Sequence, residues 1–233
     1  SIEALQQIEG LDRATPVEAY SEDTSSKKQS PVKQDIERIY ENMLTSYKAK
    51  GDKEGCLLTN LNYLSWKRDS SKSFREPFSV KKGGTYMMTV DPYETGLDAL
   101  KTEYKSSDLC AEVYLAQANY MIGKEQQTVA LQLCDESIRL YPGYRRINAL
   151  KNLREDILSP SLNVTAAATA FPGEEIKIRA SHKNLDGFTL RLFQAKKLIK
   201  EQHFAVLRPE DYRTQDTVFT FQAPEVGEYV MRI

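Results

Sequence analysis

Apolar residues recur along this chain at two different periods, and the change from one to the other predicts its organisation. Ile36, Ile39, Tyr40, Met43, Leu44 and Tyr47 follow one another at steps of three and four residues, which gathers them on one face of a helix. That helix starts near Pro31, and Gly51 suits its C-terminus. Leu57, Leu58, Leu61, Tyr63 and Leu64 give a second helix from about Gly55 to Trp66. Further helices are expected over Leu97–Tyr104, Asp108–Ile122 and Gln126–Tyr141, with "RINALKNLREDIL" carrying helix to Leu158. A short helix over Ile2–Ile8 precedes them, followed by the polar loop "SEDTSSKKQSP". Residues 68–93 show no sustained period and read as a long loop holding one extended segment, "TYMMTV".

After Ser159-Pro160, a pair that stops a helix, the period becomes two. Leu162 and Val164, then Ile176, Ile178 and Ala180, then Phe188, Leu190 and Leu192, then Val218, Phe219 and Phe221, and last Tyr229, Val230 and Ile233 mark half-buried strands. Pro172-Gly173, Asn184 with Asp186-Gly187, and Pro224 with Gly227 supply turns. The expected fold is α plus β: an α-helical hairpin region over residues 1–158 and an antiparallel β-sandwich of five or six strands over residues 159–233. Within the helical part, Tyr114, Ala118 and Met121, then Ala130, Cys134 and Ser137, closed by Pro142, resemble one tetratricopeptide repeat, in which small residues let two antiparallel helices approach.

Composition narrows the function. Lys and Arg number 32 against 33 Asp and Glu, for a net charge of −1, so nothing draws the chain to nucleic acid or an anionic membrane surface. No apolar run reaches the roughly 18–20 residues that span a bilayer. The chain does not begin with Met, so removal of a leader ahead of residue 1 is permitted.

Candidate chemistry is sparse. Cys56, Cys110 and Cys134 form no CxxC pair and read as buried free thiols, with a Cys110–Cys134 disulfide as the alternative. His182 and His203 lack a second ligand at metal spacing and read as surface or loop residues. Glu174-Glu175 are adjacent on an extended segment and point to opposite faces. Gly83-Gly84 lacks the longer phosphate cradle and reads as a turn, and Asn163-Val-Thr matches the short glycosylation pattern. Trp66 and the helical tyrosines read as core before they read as a peptide groove. The candidate partner contacts are Tyr141, Tyr144, Arg145 and Arg146 in "RLYPGYRR", where basic residues also complement a helix C-terminus. No nucleophile, base, cofactor or metal set assembles, so no enzyme is expected.

The stretches "LSPSLNV", "FPGEEIKIRASHKNLDGFTLRLFQ" and "TVFTFQAPEVGEYVMRI" resemble the amino-terminal part of bacterial alpha-2-macroglobulin-like proteins of the Bacteroidetes type. The resemblance implies a helical extension leading into a first macroglobulin domain, an immunoglobulin-like sandwich. Pro172-Gly173 would open its second strand, Asn184 would follow that strand, and Gly227 with Tyr229 would lie on a late strand. It further implies a non-enzymatic, protease-inhibitor-like scaffold in the periplasm or cell envelope, lipid-anchored through a removed leader, with proteases or envelope proteins as partners. The family's Cys-x-Glu-Gln thioester is not present in "GCLLT", "LCAEV" or "LCDES". A sandwich ending within "EYVMRI" is short of the ~100 residues usual for its type, so its last strand is expected to be missing. The alternative reading is a helical-repeat adaptor that binds peptides or partner proteins.

Overall fold

The computed structural model describes residues 31–70, 78–82 and 86–233. The expected Ile2–Ile8 helix and the Gly83-Gly84 turn lie outside these residues. Among them are six helices and eight strands, an α plus β arrangement. By internal contacts the chain divides into two units, residues 1–113 and 114–233.

In the first unit, α1 (Pro31–Lys50) and α2 (Lys53–Ser70) pack as a pair. Gly51 closes α1 as expected, with the Asp52 amide donating to the Tyr47 carbonyl (3.0 Å) and the Gly51 amide to that of Lys48 (3.1 Å). These two bonds form a Schellman motif, which satisfies carbonyls that a helix end leaves orphaned. The packed face holds Ile36, Tyr40 and Trp66, with Tyr63 stacked on Tyr40 at 4.8 Å between ring centroids.

The segment read as a loop forms a hairpin instead. β1 (Phe78–Lys82) pairs antiparallel with β2 (Tyr86–Val90). "TYMMTV" was recognisable as extended, whereas its partner "FSVKK" offers too few alternating positions to stand out. Next comes α3 (Pro92–Glu103), which starts five residues before the expected Leu97. Asp91 caps it, its Oδ1 accepting from the amides of Tyr93 (3.0 Å) and Glu94 (3.1 Å), with Pro92 at the first helical position.

The unit boundary falls inside α4 (Cys110–Gly123). In the second unit α5 (Gln127–Leu140) packs on α6 (Ile147–Leu158). Tyr114, Ala118, Met121, Ala130, Cys134 and Ser137, the positions chosen by spacing, are all buried. Six strands follow: β3 (Ser161–Ala166), β4 (Glu175–Lys183), β5 (Gly187–Gln194), β6 (Lys197–Ala205), β7 (Gln215–Gln222) and β8 (Val230–Arg232). They form two antiparallel three-stranded sheets, ordered β3-β4-β7 and β6-β5-β8.

One cluster joins the sheets: Ile178, Ala180 and Phe221 from the first, and Phe188, Leu190, Leu192 and Phe204 from the second. Each such side chain contributes about 1.5–3 kcal/mol of transfer free energy when fully buried, less for alanine. β6 had no clear signature in the sequence, because only Phe204 of its residues is buried. The turn before it, Ala195-Lys196, has φ of 46° and 71° without the Gly or Asn that usually marks such a turn.

The change from helix to strand occurs at Ser159-Pro160, where the period changed. The compact units divide elsewhere, since α5 and α6 group with the sheets. His182 corrects the sequence reading: it is 1% exposed rather than a surface or loop residue. It continues the inward alternation Ile178, Ala180, His182 along β4, so strand geometry overrides the polarity of the residue. Its Nε2 lies 3.1 Å from Thr217 Oγ1 on β7, and its Nδ1 is buried without a partner.

Candidate functional site

The segment that links α5 to α6 carries the four residues singled out as partner contacts. Tyr141 and Tyr144 are buried, at 7% and 6% exposure, while Arg145 and Arg146 are exposed. The Tyr144 amide donates to the Tyr141 carbonyl (3.1 Å) and the Ile147 amide to the Tyr144 carbonyl (3.0 Å), which folds the link into consecutive turns. The Tyr141 ring rests against Tyr114 at 6.0 Å. The tyrosines therefore pack the link, and only the two arginines face outward.

The same division holds for the helical aromatics. Tyr40, Trp66, Tyr93 and Tyr104 are each less than a tenth exposed, so they pack helices rather than line an open groove. Cys56, Cys110 and Cys134 are buried free thiols, and burial chiefly, with Asp135 beside it, pushes the Cys134 thiol up to about 11. His203 is exposed on β6, its Nδ1 3.2 Å from Thr189 Oγ1. Asn163 is exposed on β3. Among the described residues no group of three or more His, Cys, Asp or Glu could hold a metal ion, and no helix is long and apolar enough to cross a membrane.

The most specific polar constellation lies where the helices meet the sheets. Asn184 follows β4 in the left-handed region, φ 55°, which Asn tolerates better than most residues. Its Nδ2 donates toward the carbonyls of Ile157 (2.8 Å), Leu158 (2.9 Å) and Ser159 (3.3 Å). Three acceptors around one atom fix the amide orientation, because a flipped amide would face oxygen with oxygen. Beside it, Lys183 Nζ donates to the Asp156 carbonyl. Two consecutive residues thus serve four consecutive carbonyls at the end of α6, where the helix itself leaves acceptors unpaired. The positive charge of Lys183 also suits the negative end of the helix dipole. The sequence offered Asn184 as a turn residue, but no local pattern could reveal acceptors 25 or more positions away.

A second feature is an opening between the two sheets, a cavity of about 930 Å³. Leu192 and Phe221 of the shared core reach it, as does half-buried Ile176, and the loop after β3 and the β7–β8 connection form its rim. Compared with family models, with curated proteins and with solved structures, the chain matches none.

Proposed function

We propose that this chain is a structural and protein-interaction segment, not an enzyme, at the amino-terminal end of a cell-envelope alpha-2-macroglobulin-like protein. In this reading α4 and α5 act as a tetratricopeptide-like hairpin, which the burial of Ala118, Ala130, Cys134 and Ser137 at the expected positions supports. The sheets act as an immunoglobulin-like macroglobulin domain. The observation that carries the reading is strand order. Taken along the chain, β3, β4 and β7 correspond to strands A, B and E of such a domain, and β5, β6 and β8 to C, C′ and F.

The clamp at Lys183 and Asn184 gives the segment a mechanical sense, because it ties the last helix to the first macroglobulin domain without a flexible linker. Interaction would then fall to exposed features such as Arg145 and Arg146, with a protease or another envelope protein as partner. The burial of Tyr40, Trp66, Tyr93 and Tyr104 takes those rings out of any peptide groove, which supports preferring the macroglobulin reading over a peptide-binding adaptor. Determining the coding sequence that follows the Ile233 codon tests it. A run of further β-domains is the expected result, and an immediate stop codon would overturn the assignment.

A further inference from the structure

Open strand edges recruit other strands, so proteins keep them short, charged or kinked. β3 is short, at six residues. β6 carries Lys197, Lys200 and Glu201, sets Lys200 on the core side with its Nζ 4.2 Å from the centre of the Phe221 ring, and pairs with β5 through a register shift at Leu192. β7 has none of these devices. Among the described residues it is the outer strand of its sheet, eight residues long, and it pairs with β4 without a register shift. Its sequence "QDTVFTFQ" holds one charge and no Pro or Gly, and Thr217 to Phe221 are all β-branched or aromatic, the residues that favour strands. One step beyond the Glu175–Gln222 pair, the Ala223 amide donates to the Glu174 carbonyl (2.8 Å). Alternation from that pair turns the amides and carbonyls of Gln215, Thr217, Phe219 and Phe221 to β4 and leaves those of Asp216, Val218, Thr220 and Gln222 facing outward. These last four residues are all exposed, Val218 at 58%.

β7 is complementary to itself when reversed. A two-fold axis centred on Phe219 sets Asp216 opposite the second copy's Gln222 and Val218 opposite its Thr220. Each of the four outward residues then exchanges two backbone bonds with its counterpart, about eight in all. The charges fall at the two ends, each against a neutral Gln222, so like charges do not meet. Opposite residues share a sheet face, so Phe219 lies beside the second copy's Phe219 on the core side. There it is only partly buried, its ring 4.8 Å from Phe204 and 5.5 Å from Phe188, and a second ring would extend that aromatic cluster. From the strand pairing alone, and independently of the family assignment, we propose that β7 is a homodimer edge. Two copies pair β7 to β7 antiparallel, and their three-stranded sheets join into one continuous sheet, β3-β4-β7-β7-β4-β3. Such a contact uses the same patch on both copies and closes on itself, so association stops at two. A foreign strand would have to match the alternation of β7, whereas a second copy carries it already.

Sedimentation equilibrium of the whole chain from about 1 μM to about 1 mM, with amide exchange measured at both ends of that range, tests the proposal. The expected result is a reversible monomer–dimer equilibrium in which the amides of Asp216, Val218, Thr220 and Gln222 slow only at high concentration. Thr220→Pro deletes an outward donor while keeping the bonds to β4, at a place where edge strands accept proline, and should raise the dissociation constant at least about tenfold. Val218→Lys puts a charge on the edge from an exposed position, where folding should survive, and should have an effect of the same size. Disulfide formation under oxidised glutathione reads the register. A mixture of Val218→Cys and Thr220→Cys chains should cross-link faster than either alone, since paired residues stand about 5.5 Å apart. A monomer throughout the range, a dimer indifferent to both edge substitutions, or equal cross-linking by Val218→Cys alone would overturn the proposal. So would slow exchange of the four amides in the dilute monomer, since another segment of the same chain would then cover the edge.

Discussion

The clamp at the end of α6 gives the sharpest quantitative expectation. Removing the Asn184 side chain while leaving its left-handed backbone at ease isolates the hydrogen bonds, and Asn184→Gly does this. Nδ2 carries two protons shared among three carbonyls, and the residue is 7% exposed, so water cannot fully replace it. Taking about 1 kcal/mol for each of two net bonds, and recovering little from the buried Oδ1 that already lacks a partner, the loss is about 2 kcal/mol. Asn184→Ala removes the same bonds and adds a Cβ at φ 55°, for about 1 kcal/mol more. Asn184→Asp keeps the shape but turns a carboxylate toward carbonyl oxygens at the negative end of a helix. It should be the worst of the three at neutral pH. Because those carbonyls raise the folded-state pKa of the new carboxyl, part of the loss should return as pH falls toward the ordinary carboxylate range of about 4. Urea unfolding followed by circular dichroism, with amide exchange in α6 and β4 to localise the effect, measures all three. A Gly variant within about 0.5 kcal/mol of the parent, or an Asp variant as stable as Gly at pH 7, would refute the clamp.

Three further outcomes follow from other residues. Burial raises Cys134 from 9.0 to about 11, so its contribution to stability is intact below pH 9 and is lost as pH rises from 9 to about 11, on the order of 2 kcal/mol. Buried Tyr93 and Tyr104 are raised for the same leading reason and add to the alkaline loss, so Cys134→Ala should flatten the pH slope of urea unfolding without abolishing it. Gly187→Ala would bring a Cβ within 2.8 Å of the Phe204 carbonyl oxygen, a backbone atom, and should cost about 1–3 kcal/mol in the same assay. His182→Leu, which deletes the unpartnered buried Nδ1 at similar volume, should lie within about 1 kcal/mol of the parent, whereas His182→Ala should lose about 2 kcal/mol through a cavity. Thermal unfolding of the pair would decide it, and equal losses would show that the Thr217 contact dominates.

What could be read in advance depended on the range of the interaction. Helix faces and the main strands were legible because burial on a 3.6- or 2-residue period leaves a local trace. β6 left none, since one buried side chain has no period, and the Ala195-Lys196 turn uses left-handed backbone at residues that do not announce it. His182 was misplaced because residue type was weighed above its position in the alternation that begins at Ile178. In the segment chosen for partner contacts the arginines face outward, whereas Tyr141 and Tyr144 fill the link between α5 and α6. The donors for the end of α6 and the opening between the two sheets depend on pairings distant in sequence, which one sequence does not display.

The clamp also determines how this molecule can be dissected. Cutting at Ser159, where the sequence changes character, would strip Asn184 and Lys183 of the carbonyls of residues 156–159 and leave a buried amide facing solvent or nothing. A fragment holding only the six strands would therefore begin with a deficit that the parent chain lacks. A fragment that retains α5 and α6 keeps those bonds, and the last two helices are better regarded as the foundation of the sheets than as the tail of the helical region.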